Sequence, residues 1–371
     1  MVNQPEVTMK SKLSGEEIRK FQESILSWYE QNARVLPWRK TSNPYHVWIS
    51  EVMLQQTQVN TVLPYYDKFV KTYPSIQDFA FDSEDKVLKM WEGLGYYSRV
   101  RNFQAGCRQV IEQFGGEVPR DKKQLLSIKG VGDYTSGALL SICYNIPTPA
   151  VDGNVFRIYG RLFEVEDDIS KAKTKAVYET LVNETMSQSN AREFNQALMD
   201  LGATVCLYKN PKCTVCPVNQ FCSAYKNNTI EKFPVKLGKT KVKDVHLLTV
   251  VLKTDTNKYL IQKRPSSGLL SNFYMFISFE SETPFRNQPK FLEENIPFKV
   301  NLKNECLGNV KHVFSHLKWN LDVYSGTVKE KTIPKDKTYS VITETQMKKY
   351  AFPVPYQKVW KMYLKSKGLK K

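Results

Sequence analysis

Four of the seven cysteines stand close together, and they are the clearest candidates for a metal site. Cys206, Cys213, Cys216 and Cys222 follow the pattern C-x6-C-x2-C-x5-C. Thiolates so close in sequence can surround one soft metal centre, and both zinc and a [4Fe–4S] cluster accept four cysteines. The spacing matches neither the short paired units of zinc sites nor the ferredoxin runs, and four unrelated buried thiols are the alternative. We therefore predict a structural metal centre whose metal the spacing leaves open.

Two carboxylates lie in surroundings that suit acid–base chemistry. Glu51 stands in the apolar segment Val47-Trp-Ile-Ser-Glu-Val-Met-Leu54, where loss of water would raise its pKa and make it a general acid near neutral pH. Asp152, in Pro147-Thr-Pro-Ala-Val-Asp-Gly-Asn-Val155, precedes a helical stretch. A helix N-terminus would keep this carboxylate ionised, ready to face a developing positive charge. The plainer alternatives are a surface glutamate and an ordinary helix N-cap.

A glycine pair interrupts a helical pattern in Leu125-Leu-Ser-Ile-Lys-Gly-Val-Gly-Asp-Tyr-Thr-Ser-Gly-Ala-Leu-Leu140. Glycine lets the backbone turn sharply at Gly130-Val131-Gly132 and approach another molecule closely. The free N–H groups that begin the second helix would then offer a seat for a phosphate. This pattern predicts a helix-hairpin-helix DNA-binding element, with a plain helix–helix turn as the alternative.

Two further segments could enter a base stack. Leu54-Gln55-Gln56-Thr57-Gln58 carries amides beside a leucine, and Tyr96-Tyr97 follows Gly93-Leu-Gly95. Amide, apolar and aromatic side chains can wedge between bases or hold an unstacked one. The polar face of a helix and ordinary helix-end packing are the alternatives.

Length and charge bound the kinds of protein that remain. The chain has 371 residues, 41% hydrophobic and 25% charged, which suits two or three globular domains and excludes a disordered chain or a coiled coil. It has no apolar run long enough to span a bilayer and no secretory signal pattern at the N-terminus, so an intracellular protein is expected. Residues 1–230 hold 27 Lys+Arg against 25 Asp+Glu, and residues 231–371 hold 27 against 12. The excess is therefore +2 and +15, which favours a polyanionic partner for the second part, with a merely solubilising lysine surface as the alternative.

Helical patterns fill the first part of the chain and strand patterns the second. A capping-box pattern at Ser14-Gly-Glu-Glu17 begins the first helix, and Asp121 can cap a short helix that ends near Lys129. Strands are expected over residues 245–252 and 258–263 and around Trp319. The fold class predicted is an all-α domain followed by a mixed α/β domain, joined by a lysine-rich linker.

Several motifs occur together that resemble one family. They are Pro44-Tyr-His-Val-Trp-Ile-Ser-Glu-Val-Met-Leu-Gln-Gln-Thr57, Trp91-Glu-Gly-Leu-Gly-Tyr-Tyr-Ser-Arg-Val-Arg-Asn102, Gly130-Val-Gly-Asp-Tyr-Thr135, Ala150-Val-Asp-Gly-Asn154 and the four cysteines. In this order, over roughly residues 14–225, they resemble adenine DNA glycosylases of the MutY family, within the endonuclease III-like helix-hairpin-helix superfamily. The resemblance implies a helical glycosylase domain over residues 1–228, with the hairpin at 125–141 and an iron–sulfur loop at 206–222.

The resemblance implies a role for each catalytic residue. Glu51 matches the acid that protonates adenine N7, and Asp152 matches the carboxylate that stabilises, or transiently bonds, the deoxyribosyl cation. Tyr134 stands where bifunctional relatives place a lysine nucleophile. Because a phenol forms no Schiff base, the resemblance implies a monofunctional glycosylase that leaves an abasic site. The cysteines match the ligands of one [4Fe–4S] cluster.

The resemblance also implies the residues that touch DNA. Gln56 and Tyr96 match residues wedged at the lesion, while Leu54, Trp38 and Arg39 match the border of the adenine pocket. Contacts with DNA or substrate are further implied for Gly130, Val131, Gly132 and Asn154. Asp133 departs from the neutral or basic residue usual after the glycine pair, and its charge would weaken binding to the DNA backbone slightly.

After a linker at 229–243, residues 244–371 resemble more loosely the family's Nudix-like domain for recognition of 8-oxoguanine. His312-Val-Phe-Ser-His-Leu-Lys-Trp319 matches the recognition loop, with Ser315 reading the lesion and Phe314 and His316 beside it. Tyr274-Met-Phe-Ile277 stands where relatives carry Trp-Glu-Phe-Pro. No Nudix box of spaced glutamates is present, so nucleotide hydrolysis is not expected.

The sequence thus predicts a cytoplasmic, bacterial-type, monomeric repair enzyme. Its substrate would be double-stranded DNA with adenine opposite 8-oxoguanine or guanine, and no membrane is involved. Two alternatives stay open. One is a bifunctional endonuclease III-like lyase, disfavoured by Tyr134 and by the long C-terminal domain. The other is a non-catalytic iron–sulfur protein that marks mismatches, disfavoured by the presence of both Glu51 and Asp152.

Overall fold

The computed structural model describes residues 10–238 and 241–368. The first nine residues, on which the expectation of no signal sequence rests, lie outside this part of the chain, as do residues 239 and 240 of the expected linker. Contacts divide the described residues into two compact units. The first consists of residues 10–81 and 98–238, and the second of residues 82–97 and 241–368. The domain bounds at 228 and 244 stay predictions.

The first unit is helical. Its helices are α1 (Gly15–Asn32), α2 (Pro44–Leu54), α3 (Val59–Thr72), α4 (Ile76–Ala80), α6 (Ser98–Phe114), α7 (Lys122–Ser127), α8 (Asp133–Tyr144), α9 (Gly153–Phe163), α10 (Ala172–Thr185), α11 (Ala191–Thr204) and α12 (Ser223–Lys226). The cysteine-rich loop adds two short 3₁₀ turns, Cys213–Val215 and Asn219–Phe221.

Side-chain caps explain where the helices that matter for the site begin. Ser14 and Glu17 form the expected capping box at α1. Asn43 caps α2 and is followed by Pro44, whose fixed φ suits the first helical position. Asp121 caps α7 by accepting from the Gln124 amide. The polar residues before these helices therefore satisfy amides that have no partner within the helix.

The apolar faces of α1, α9, α10 and α11 form one core. Phe21 is fully buried and packs edge-on against Phe194 and Phe221, with ring centroids 6.2 and 5.8 Å apart. Because Phe221 lies within the cysteine-rich loop and α9 follows Asp152, this core supports both the cysteine loop and the segment that carries Asp152.

The second unit is built on a mixed eight-stranded sheet. The strands are β1 (Lys243–Thr254), β2 (Tyr259–Lys263), β3 (Tyr274–Met275), β4 (Ile277–Ser281), β5 (Val300–Leu302), β6 (Gly308–Val313), β7 (Leu317–Val328) and β8 (Tyr339–Ile342), with helices α5 (Glu84–Met90), α13 (Gln288–Asn295) and α14 (Val354–Ser366). The central order is β3-β2-β1-β7-β5, with β4 on β1, β6 on β7 and β8 on β2. The β1–β7 pair is parallel along its length, from Lys243 opposite Leu317 to Thr254 opposite Val328, and the other pairs are antiparallel.

Residues 82–97 belong to the second unit although they lie within the helical part of the sequence. Lys263 pairs with Asp85 at 2.8 Å, and the Phe352 amide donates to Glu92 at 2.9 Å. Tyr97 packs on Phe273 with ring centroids 4.3 Å apart. Charge pairing and ring packing thus join this segment to residues far along the chain.

The predicted fold class is confirmed at the level of secondary structure: the first unit is all-α, and the second is a mixed α/β unit. The three strands expected from alternation are present as β1, β2 and β7. Among the helices of the described ranges, none is both long and apolar enough to cross a bilayer.

Candidate active site and DNA-binding elements

Glu51 lies on the last turns of α2, with 4% of its surface exposed. The Tyr134 hydroxyl, from the second residue of α8, donates to its Oε2 at 2.6 Å. The two residues are 83 positions apart, so only the packing of α2 on α8 brings them together. This arrangement holds one carboxyl group in a fixed orientation away from water.

Burial raises the pKa of Glu51 to about 7. The hydrogen bond from Tyr134 and the positive charge of Arg39 oppose this rise, and the negative charge of Asp152 adds to it. Burial likewise holds the pKa of the Tyr134 phenol well above its ordinary value, so this group remains a donor. A carboxyl with a pKa near 7 is half protonated at neutral pH, which suits a general acid.

Asp152 is the N-cap of α9. Its Oδ1 accepts from the amides of Asn154 at 2.9 Å and Val155 at 2.8 Å, and its Oδ2 accepts from the Asn154 side chain at 2.8 Å. Burial raises its pKa, whereas these hydrogen bonds and the charge of Arg157 lower it. The capping alternative and the catalytic prediction are compatible, because the cap fixes the carboxylate without using all of its lone pairs.

A chain of hydrogen bonds runs from Asp152 to the cysteine loop. Asn154 Oδ1 accepts from Arg157 Nη2 at 2.8 Å, and Arg157 Nε donates to the Cys206 carbonyl at 2.6 Å. A Cβ on Gly202 would lie 2.5 Å from the Asn154 Cβ, so glycine is required for α11 to pass this close. The orientation of Asp152 is therefore tied to the backbone at Cys206.

The four cysteines border a single cavity, together with Arg161 and Asn219. Arg161 Nη1 lies 3.4 Å from the Cys206 sulfur, and the Cys222 thiol donates to the Arg161 carbonyl at 3.4 Å. Within the described ranges, no three His, Cys, Asp or Glu side chains converge tightly enough for a single metal ion. Burial raises the pKa values of Cys216 and Cys222 to about 12 and 11. Four thiols around one cavity, next to a guanidinium, are a donor set that fits an anionic iron–sulfur cluster.

Arg39 is engaged in an ion pair with Asp200. Its guanidinium makes two bonds with Asp200, at 2.6 and 2.7 Å, and Arg34 Nε binds the same carboxylate at 2.7 Å. Asp200 itself is fully buried. Trp38, with 5% exposure, packs edge-on against Tyr66 with centroids 5.2 Å apart. Arg39 therefore acts on Glu51 through its charge, while Asp200 holds its side chain.

The glycine pair forms the hairpin between α7 and α8. Gly130 has φ +82°, and a Cβ there would lie 2.9 Å from the Asn102 Cβ. Gly132 has an ordinary φ of −107° and open space around its Cβ position, immediately before α8. Val131, 7% exposed, anchors the turn through its amide to the Ile128 carbonyl at 3.1 Å. The exposed glycine beside the free amides of α8 offers room for a phosphate.

Asp133, whose charge was expected to weaken backbone binding, has a cationic partner. Lys175 on α10 donates to its Oδ2 at 2.6 Å, and this bond lowers the pKa of Asp133. The Asp133 side chain is 43% exposed and the Lys175 side chain is 33% exposed. The carboxylate at the hairpin is thus compensated locally.

The expected wedge residues lie at turns with unusual backbone. Gln56 is exposed with φ +58°, directly after α2 ends at Leu54, whose side chain is half-buried. Tyr96, in the second unit, has φ +46° and is 47% exposed, following Gly95 at φ +71°. Left-handed backbone is rare for residues with a Cβ and concentrates at functional turns.

The recognition loop suggested by resemblance is the three-residue connection between β6 and β7. Ser315 and His316 are exposed, with Ser315 Oγ 3.1 Å from His316 Nδ1. The Phe314 ring packs against the buried Trp319 with centroids 5.1 Å apart, and its amide donates to the Leu317 carbonyl at 2.7 Å. The packed ring of Phe314 therefore supports a loop that exposes Ser315 and His316 to solvent.

Sequence reasoning missed three residues that shape these sites: Arg99, Arg157 and Asp200. Each is charged and lies in an amphipathic helix, where a solvated position is the ordinary expectation. Arg157 and Arg161 do share a helical face beginning three residues after Asn154, a signal that was available.

Comparison with known proteins agrees with this geometry. Residues 49–184 match the HhH-GPD superfamily of base excision DNA repair proteins, and residues 248–362 match the NUDIX domain. Three similar proteins are the adenine DNA glycosylases of Rattus norvegicus, Schizosaccharomyces pombe and Buchnera aphidicola subsp. Baizongia pistaciae. Their identities are 35%, 32% and 34%, over 83%, 83% and 80% of this chain and 70%, 82% and 83% of their own lengths.

Two solved structures resemble more than half of this chain. A thermostable thymine-DNA glycosylase is 29% identical with a TM-score of 0.52, covering 57% of this chain and 98% of that one. A trapped endonuclease III–DNA covalent intermediate is 23% identical with a TM-score of 0.50, covering 58% and 99%, and shows likeness of fold alone.

Proposed function

Because this chain belongs to the adenine DNA glycosylase family, and is thus a base excision repair enzyme acting on DNA, we propose that it excises adenine mispaired with 8-oxoguanine and, less avidly, with guanine. The observation that carries the proposal is the buried Glu51 carboxyl, with a pKa of about 7, held by Tyr134 and electrostatically coupled to Asp152. This pair suits a reaction that needs an acid and a cation stabiliser at once.

The first step is proton transfer to the leaving base. Adenine is flipped out, since its glycosidic bond is unreachable within the stack. Protonated Glu51 gives its proton to N7, the C1′–N9 bond breaks, and its electron pair leaves with adenine. Tyr134 stays hydrogen-bonded to Oε2 and stabilises the carboxylate that remains.

The second step is capture of the sugar cation by water. The carboxylate of Asp152, fixed by Asn154 and Val155, faces the positive charge that develops at C1′. Water adds to C1′ and returns a proton to Glu51, which restores the acid and leaves an abasic site. Because Tyr134 has no amine, no Schiff base forms and the strand stays intact.

Cys206, Cys213, Cys216 and Cys222 would hold one [4Fe–4S] cluster. Coordinated by these four residues as thiolates, a cluster would cross-link the loop between α11 and α12. Arg161 would donate to the Cys206 sulfur, while Arg157 orients Asn154 from the carbonyl of the same cysteine.

The remaining assignments concern DNA. The hairpin Gly130-Val131-Gly132 would bind a phosphate, Gln56 would fill the space left by the flipped base, and Tyr96 of the second unit would contact DNA. Ser315 and His316 would read 8-oxoguanine on the other strand. We propose that the enzyme works as a monomer in the cytoplasm.

The test uses a labelled duplex with adenine opposite 8-oxoguanine, incubated with the purified protein and divided between alkaline and neutral work-up. Strand breaks only after alkali are the expected result. Breaks without alkali would overturn the monofunctional proposal in favour of the lyase. Binding without breaks in either arm would favour a protein that only marks mismatches.

A further inference from the structure

Arg99, near the start of α6, directs its guanidinium at the C-terminal end of α2, the helix that carries Glu51. Nη1 donates to the carbonyls of Val52 at 2.9 Å and Met53 at 3.0 Å, and also to the carbonyl of Gln55. Nη2 donates to the Thr57 hydroxyl at 3.2 Å. The residue is 9% exposed, so these bonds form away from bulk water. One side chain thus touches both the last turn of α2 and the turn that follows it.

Two of the three carbonyls that Arg99 binds, those of Val52 and Met53, belong to the last turn of α2, where the helix itself supplies no amide partner. The last four carbonyls of an α-helix have no amide partner within it, and α2 ends at Leu54. The partial negative charge at this end also attracts a cation. The planar guanidinium offers several donors in a fixed fork, whereas a lysine ammonium is a compact point charge on a flexible stem.

The position of Arg99 in its own helix is unfavourable. It is the second residue of α6, where the helix dipole disfavours positive charge, and the first turn of α6 has no acidic residue. The position of this charge disfavours α6, whereas the guanidinium stabilises the end of α2 by tertiary contacts. The role of Arg99 therefore lies in the contacts of its guanidinium.

The turn that Arg99 holds has a strained residue at its tip. Gln56 has φ +58°, between a Gln55 carbonyl and a Thr57 hydroxyl that both bind Arg99. The Thr57 amide also donates to the Leu54 carbonyl at 3.2 Å, which closes the turn. A non-glycine residue persists in this conformation only where its surroundings determine it.

We propose that Arg99 is a positioning residue, which clamps the turn at residues 54–57 to the end of α2 so that Gln56 enters the base stack while Glu51 stays in place. This inference rests on the proposed function. Arg99 contacts no reacting atom, and its effect on base release passes through Gln56.

The test compares Arg99→Lys with the wild-type protein in single-turnover release of adenine from an A:8-oxoguanine duplex. We expect a loss of about tenfold to a hundredfold, as for a small misplacement of a catalytic group. A second readout places 2-aminopurine at the adenine position in a Glu51→Gln background. With Arg99→Lys added to this background, the rise in 2-aminopurine fluorescence on binding should be smaller. The affinity for an undamaged duplex should stay within about twofold of wild type.

A matched control is Arg108→Lys. Arg108 lies on the same helix and also donates to a terminal carbonyl, that of Ala80 at the end of α4, at 2.6 Å. We expect the Arg108→Lys variant to be less stable to unfolding than the wild-type protein but to flip the base as the wild type does. In a double-mutant cycle, Arg99→Lys should cost little more once Gln56→Ala is present; independent, additive losses would overturn the proposal.

If Arg99→Lys does not fold, Thr57→Val removes one acceptor and should give a smaller loss in the same direction; wild-type rates in that variant would also overturn the clamp. Wild-type protein that releases no adenine would refute the proposed function instead, before any variant is compared.

Discussion

At the scale of single residues, burial of the Glu51 carboxyl has a cost in stability that can be measured. Its pKa rises from an ordinary 4.5 to about 7 on folding, so between these values the folded protein holds a proton that the unfolded chain has released. The free energy of unfolding therefore falls as pH rises through this window, by up to about 3 kcal/mol. Above about pH 7, ionisation of Glu51 lowers the free energy of unfolding no further.

Glu51→Gln should therefore abolish base release and yet stabilise the protein at pH 8, with little effect at pH 4.5. Denaturant unfolding at the two pH values checks this, with the exposed Glu112→Gln on α6 as control. In the active enzyme, the rate of adenine release should fall as pH rises above about 7, because the acid is lost. A variant that stays active, or gains no stability at alkaline pH, would contradict the assignment.

The helix-capping role of Asp152 and its chemical role can be tested separately. Asparagine also caps helices well, so Asp152→Asn should keep the amide bonds of Asn154 and Val155 and leave Tm close to that of wild type. It removes the negative charge that faces the cation, so single-turnover release should fall by about a hundredfold or more. Unchanged turnover with an unchanged Tm would exclude Asp152 as the stabilising carboxylate.

At the scale of elements, the charge balance of the hairpin depends on α10 as well as on α8. Lys175→Ala should leave Asp133 uncompensated beside the phosphate seat and raise the Kd for undamaged duplex by about threefold to tenfold. Adding Asp133→Asn should restore affinity, and fluorescence anisotropy at fixed salt measures both. If the second change rescues nothing, Lys175 acts on phosphate directly rather than through Asp133.

At the scale of the whole molecule, catalysis and lesion reading are assigned to different units of the chain. Replacing both Ser315 and His316 by alanine should lower the preference for 8-oxoguanine over guanine, measured as the ratio of single-turnover rates. His246→Ala with Ser281→Ala is the matched control, because these residues pair across β1 and β4 in the same unit. Equal losses on both substrates would argue against lesion reading by this loop.

Much of the site was predictable because its chemistry lies in residue types within local segments. The apolar segment around Glu51, the cap position of Asp152 and the spacing of the cysteines are all properties of the chain within short windows. The helical and strand-rich parts were equally visible, since their periodicities are local. Together with the family motifs, they were enough to predict the fold class and the enzyme class.

Contacts between distant residues were not predictable, because no local pattern encodes them. Tyr134 reaches Glu51 across 83 positions, and Arg157 reaches Cys206 across 49. In the sequence, Arg99 is indistinguishable from the other charged residues of an amphipathic helix. The grouping of residues 82–97 with the second unit follows from their pairing with Lys263 and Phe352. The sequence by itself determined which groups are available and which elements carry them. Only the tertiary structure decided which groups meet, because burial, pKa and orientation depend on neighbours that packing brings together.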